Sequence, residues 1–288
     1  MRILLTAAAM VLVLQSVPAL ADRDPQSGAP LPPKKRAADS SPITDHFYAR
    51  ISWYGPQLRT SLRADPSNAA LAGSGTSLSG ENDLGLPDKL NKGRVEFMFR
   101  LRERNKVRID YFEADRSASK VLANPVVFNN ETFLAGLPAQ SELDWKQFSI
   151  TYTYSFIHNS RFEVGSGLAL YFLQADATLT QAQPFSISLH QEVSAATPFP
   201  ALPLDLTWRI SGRWAVTARG AYLKANVSGL RGWYADLHED LQYRWNPNFA
   251  LGVGYSSTRT SLTRTGGSTP GFFGLSISGP EAFVRLSF

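Results

Sequence analysis

The chain has 288 residues, 43% hydrophobic and 18% charged, which is too apolar for a disordered protein and close to the average of globular ones. Its net charge of +5 is too small to argue for nucleic acid, and no nucleic-acid-binding motif accompanies it. The absence of cysteine excludes a disulfide framework and a lipoprotein anchor.

The first 21 residues read as a secretory signal. Met1-Arg2 is the charged start, Ile3 to Leu14 the apolar stretch, and Ala19-Leu20-Ala21 a small-x-small cleavage site. That stretch falls short of the roughly 18 residues a spanning helix needs. Export through the Sec route with cleavage after Ala21 is therefore expected, and it leaves a net charge of +4 because Arg2 is the only charged residue removed. Residues 22 to 44 hold five prolines, the run Lys34-Lys35-Arg36 and no apolar period, so they read as a disordered periplasmic tail.

From residue 45 to 288 the dominant signal is alternation, which sends successive side chains to opposite faces of a strand. Val95, Phe97, Phe99 and Leu101, for example, alternate with Arg94, Glu96, Met98, Arg100 and Arg102. The pattern predicts strands at about 46 to 62, 92 to 103, 106 to 116, 143 to 157, 161 to 177, 203 to 211, 213 to 225, 232 to 245, 248 to 260 and 272 to 288. Short polar turns join them near Arg102 to Lys106, His158 to Arg161, Ser211 to Arg213 and Asn246 to Asn248. Longer connections, about 64 to 90, 118 to 141 and 179 to 202, alternate with these turns. An even number of spanning strands with short turns at one end and long loops at the other is the pattern of a closed antiparallel transmembrane β-barrel. Ten strands are expected, or eight if the ragged first hairpin is misread. Closure is required because an open edge in hydrocarbon would leave backbone groups unpaired.

Parity sends Phe156, Phe162, Trp208, Trp214, Trp245, Phe249 and Phe288 outward near the short turns, and Trp233, Tyr222, Tyr255 and Phe172 outward toward the other rim. Two aromatic belts suit a wall that crosses two membrane interfaces. In the last strand Phe288, Leu286, Val284 and Ala282 share the outward face, opposite Ser287, Arg285 and Phe283. A terminal Phe preceded by apolar residues at alternate positions resembles the carboxyl-terminal signature of bacterial outer-membrane barrels, which implies recognition by the barrel-assembly machinery.

Three stretches carry a wider resemblance: Val95 to Arg116, Tyr154-Ser155-Phe156 before a tight turn with Gly165 and Gly167 beyond it, and Phe249 to Tyr255. Together they resemble a proteobacterial family of outer-membrane β-barrel proteins to which no activity is attached. The resemblance spans residues 45 to 288 and implies the fold and the cell outer membrane as location, with outer-membrane lipid and lipopolysaccharide as surroundings. A monomer is expected.

Inward parity collects Arg94, Glu96, Arg100, Arg102, Arg108, Asp110, Glu163, Asp205, Arg209, Arg219, Arg244 and Arg285. In a barrel this narrow, long side chains can fill the interior, so these charges are expected to form a mutually paired network. A narrow pore for small solutes, with a slightly basic constriction that would favour anions, is the alternative, since Gly165, Gly167, Gly252 and Gly254 also point inward. Asp236, His238 and Asp240 share the same face and are the only constellation with general-base chemistry. Asp236 and His238 resemble the Asp-x-His pair of omptins, ten-strand outer-membrane proteases. The acidic pair that omptins also carry has no counterpart, because the remaining Asp-x-Asp, Asp22 to Asp24, lies in the tail. No metal-ligand spacing and no cofactor motif is present. A non-enzymatic barrel, with a structural role or a surface-interaction role through its external loops, is the leading expectation.

Overall fold

The computed structural model describes residues 41–288 apart from 67, 69–72, 183–187, 228 and 266–269, so the expected signal segment and nearly all of the tail lie outside the described residues. The described strands are β1 (Phe47–Tyr54), β2 (Gln57–Ala64), β3 (Leu78–Ser79), β4 (Lys92–Arg102), β5 (Asn105–Val121), β6 (Val126–Phe128), β7 (Glu131–Phe133), β8 (Pro138–His158), β9 (Phe162–Ala182), β10 (Ser188–Arg209), β11 (Trp214–Val227), β12 (Leu230–Asn246), β13 (Phe249–Arg264) and β14 (Gly271–Ser287).

Each barrel strand pairs antiparallel with its neighbours, and β1 pairs with both β4 and β14, which closes the wall. At the seam Ile51 stands opposite Val95 on one side and Val284 on the other. β1 and β2 are two halves of one strand, since both run along β14 and are interrupted only at Gly55-Pro56, where proline lacks the ladder donor. The result is a closed antiparallel barrel of ten strands, and the eight-strand alternative falls.

The strands are longer than their alternation suggests. β8 begins at Pro138, β9 continues to Ala182, and β10 runs from Ser188, so much of the expected loops at 118 to 141 and 179 to 202 is paired strand. There the outward residues, such as Gln140, Glu142 and Thr178, are polar, so the outward apolar period that marks a spanning strand disappears. β4, by contrast, stops at Lys92 while β5 continues to Val121. The stretch 80–90 lies beside that missing wall, where Arg116 reaches Glu81 (2.6 Å) and the Pro87 carbonyl, and Ser141 Oγ donates to the Leu84 carbonyl. Leu78, Leu84, Leu86, Phe128 and Phe133 bury themselves with Leu62, Leu143 and Leu179 in one cluster. The segment from Gly73 to Asp88, within the long connection expected at about 64 to 90, is thus folded into the long-loop end of the barrel.

The outer wall is apolar. Trp245 and Phe288 near the short turns are 65% and 64% exposed, and Tyr222, Tyr255, Phe172 and Trp233 are exposed farther up. Val284 and Leu286 face outward as parity required, while Phe283, Arg285 and Ser287 are buried inside. Glu239 interrupts this wall: it faces out between Leu237 and Leu241, six residues from both Trp233 and Trp245, and makes no ion pair among the described residues. A carboxylate near the middle of a lipid-facing belt is destabilising, so Glu239→Leu is expected to raise stability by about 1–2 kcal/mol. Urea unfolding of the protein in phospholipid vesicles measures this, and an unchanged midpoint would refute it.

Inward glycines have a packing reason. A Cβ on Gly252 would lie 2.1 Å from Cζ of Phe283, its cross-strand neighbour, whose ring lies 3.6 Å beneath the Arg50 guanidinium. Gly252→Ala would push the ring into that ion-pair layer and should cost about 1–3 kcal/mol by overpacking, read as a lower thermal transition in detergent.

Candidate functional site

Alternation on ten strands brings the inward side chains into one lumen, and they sort into levels along it. At the short-turn end, residues 41–45 form a turn inside the mouth: Thr44 N and Asp45 N both donate to the Ser41 carbonyl (3.0 and 3.1 Å), and Ile43 is 2% exposed. Asp45 Oδ2 accepts from both Arg244 and Arg285 at 2.6 Å. Beside it Arg100 meets Glu163 through two hydrogen bonds (2.7 and 3.1 Å), and Lys106, Ser155 and the His158 imidazole also surround that carboxylate at 3.2, 2.7 and 3.4 Å.

The next level spans the barrel. Arg219 on β11 pairs with Glu96 on β4, and these strands are five steps apart in either direction round the wall. Tyr48 donates to the same carboxylate. Arg50 bridges Asp240 (2.7 Å) and Glu281, and Arg108 pairs with Asp205. Each cation is therefore neutralised by a carboxylate from a different strand, the arrangement that makes burial of charge tolerable.

Above it Arg94 binds Asp110 through two hydrogen bonds (2.8 and 2.6 Å). His238 Nε2 lies 3.0 Å from Asp236 Oδ2, and Asp236 also accepts from Thr258 (2.6 Å) and Tyr171 (3.3 Å). Asp240 does not join this group, because Arg50 holds it one level lower. His238 is 5% exposed, and its level is roofed by an apolar layer. In that roof Tyr171 packs on Tyr234 (4.7 Å between centroids), Tyr54 on Phe112 (5.3 Å), and Trp145 stacks on Phe273 (5.9 Å) from β8 across to β14.

Most of the predicted network is present: Arg94, Glu96, Arg100, Arg108, Asp110, Glu163, Asp205, Arg219, Arg244 and Arg285 all make ion pairs in the lumen. Arg209 keeps the inward parity of Asp205 and Thr207, opposite the buried Ala215, and lies half-buried at the end of β10, where it donates to the Ser211 carbonyl of the adjacent turn (3.2 Å). Arg102 is exposed at the end of β4. Arg50, Asp45, Lys106 and Glu281 are central to the network yet were not expected. Parity from Tyr48 and from Phe283 would have found Arg50 and Glu281, whereas Asp45 precedes the first strand and has no period to reveal it. The aromatic roof is absent from the expected lumen, which collects only charged and glycine residues of the inner face.

Neither a protein-family model nor a curated protein matches the sequence. Among solved structures, the chain is similar to the outer-membrane protease OmpT of Escherichia coli, with a TM-score of 0.54 at 11% identity over 86% of this chain and 98% of that one. Looser likenesses include the toluene transporter TodX of Pseudomonas putida (TM-score 0.32, 9% identity, 87% and 93% covered) and the attachment protein Ail of Yersinia pestis (0.33, 9%, 82% and 97%). Only the first superposes well enough to describe a shared fold. At this identity it speaks for architecture alone, and with the closed wall and the apolar outer belt it makes the chain an outer-membrane β-barrel in fold.

Proposed function

We propose that the chain resides in the cell outer membrane as a non-conducting barrel, with its short turns toward the periplasm and its activity at the loop-bearing end, as a structural or surface-interaction protein. The observation that carries this reading is the Glu96–Arg219 pair across the full width of the lumen. The apolar roof above it, with Trp145 on Phe273, is a second barrier that ions would have to cross. The folded protein in planar bilayers should give no stable conductance steps; ion-selective steps would replace this reading with that of a narrow pore.

A peptidase is the second reading, favoured by the His238–Asp236 contact and by the fold shared with a protease. Against it stand the roof above His238 and the Arg94–Asp110 pair facing it, which leave no accessible scissile-bond site. Any peptidase activity of the purified barrel that His238→Ala abolishes would establish the second reading over the first.

A further inference from the structure

We propose that the outer wall formed by β11 to β14 and β2 binds the phosphorylated headgroup of an outer-leaflet glycolipid. Strand registers place Arg259 opposite Ser276, and Ser276 opposite Arg59, so the two arginines flank a serine in one outward row. Neighbouring strands lie about 4.8 Å apart, which sets the two Cα atoms roughly 10 Å from each other, a span that two guanidinium groups close around one phosphate. In the next outward row Lys224 on β11 stands directly opposite Trp233, which faces Ser261, and in the row beyond it Arg231 on β12 stands opposite Thr263. All four cations are exposed, and none makes an ion pair among the described residues.

Their position selects the ligand. The row of Arg59 and Arg259 continues through Ala235 to Tyr222, and Trp233 lies in the next row, so the cations stand among the belt aromatics, at the level where headgroups meet the protein. Among the described residues of this wall, no exposed acidic side chain lies between Glu239 and the rim; Asp65, just past β2, is buried and held by Arg63 at 3.0 Å. On the opposite wall the cations are matched by acids: registers align Asp115, Asp144 and Asp176 in one row across β5, β8 and β9, where Lys92 is paired to Asp115 and Lys146 lies beside Asp144. A phosphate is therefore attracted more strongly to one side of the barrel than to the other. Arginine suits it in particular, because its planar fork meets phosphate oxygens through paired hydrogen bonds. Serine hydroxyls at Ser276 and Ser261 add donors in the same rows.

This inference rests on the membrane embedding proposed above, and the experiment scores the two separately. The full barrel is inserted into phosphatidylcholine vesicles, insertion is confirmed by heat-modifiable migration, and retention of bisphosphorylated lipid A is measured against the same lipid stripped of its phosphates. The inserted wild type should retain the phosphorylated form selectively. Arg59→Ala with Arg259→Ala should weaken retention roughly 30-fold, the effect of two cations at an anionic surface. Arg59→Lys with Arg259→Lys should restore part of it, and Lys146→Ala on the opposite wall should change nothing. Equal retention of the stripped lipid, full retention by the double alanine variant, or displacement of the lipid by an equal concentration of inorganic phosphate would each overturn the proposal. Failure of the protein to insert would count against the embedding instead.

Discussion

Replacing Glu163 by alanine is expected to destabilise the barrel by about 3–5 kcal/mol, the cost of leaving a buried charge without its partner. Glu163 is 1% exposed and receives Arg100, Lys106 and Ser155, so its loss strands two cations at once near the short-turn mouth. Arg100 would keep its bonds to the carbonyls of Asp45 and Glu103 (3.1 and 2.6 Å), which bind a guanidinium without neutralising it. Glu163→Gln preserves the shape and the Ser155 contact but not the charge, and should recover only a minor part. Replacing Arg100 and Glu163 together by leucine should recover more, because apolar packing substitutes well for a buried ion pair, with Lys106 left as the single unneutralised group. Urea unfolding in vesicles, followed by tryptophan fluorescence, measures the series. A cost below about 1 kcal/mol for Glu163→Ala would mean that the mouth is wet and the charges are screened by water.

How much of this network was legible follows from the period of a strand. Once residues 92 to 103 read as alternating, Arg94, Glu96 and Arg100 had to share a face, and the same holds for Arg108 with Asp110 and for Glu163 with Gly165. Parity gives facing but not pairing. That Glu96 meets Arg219 rather than Arg50 depends on barrel diameter and strand stagger, which no single segment encodes. The tight turns were legible because polar residues interrupt two apolar periods. The upper parts of β8 and β9 were not, since their outward residues, Glu142 and Thr178 among them, are polar and give no outward apolar period.

The interior's division into a charged half and an aromatic half was hidden for a related reason. Tyr171 and Phe172 are adjacent on β9, one sealing the lumen and the other facing out, and composition does not distinguish them. Parity does, and it also places Tyr54, Phe112, Trp145 and Tyr234 inside. The expected lumen collects the charged residues of that face and leaves these aromatic ones out. The physical distinction is that a barrel meant to stay closed can bury its inner face like a globular core, whereas an aqueous channel must keep it wet.

Asp45→Ala should have an effect as large as Glu163→Ala, again about 3–5 kcal/mol, because one carboxylate oxygen serves two buried guanidiniums. Without it Arg244 and Arg285 would face each other with only neutral acceptors left. Arg244 would retain the Pro247 carbonyl (2.8 Å), and Arg285 would retain Gln242 and Ser287 together with the Tyr48 ring 3.7 Å beneath it. The variant has a second consequence that Glu163→Ala lacks. Asp45 is the only side chain by which the turn 41–45 is ion-paired to the wall among the described residues, the remaining ties being Arg100 to the carbonyls of Pro42 and Asp45. Removing it should release the turn from the mouth, so that protease added to the short-turn side cuts between 41 and 46 in the variant and not in the wild type. Asp45→Asn, which can still accept one guanidinium, should fall between the two in both stability and cleavage. If the turn stays protected in Asp45→Ala while stability drops, the carboxylate serves to neutralise the wall, and the apolar seating of Ile43 alone holds the turn in place.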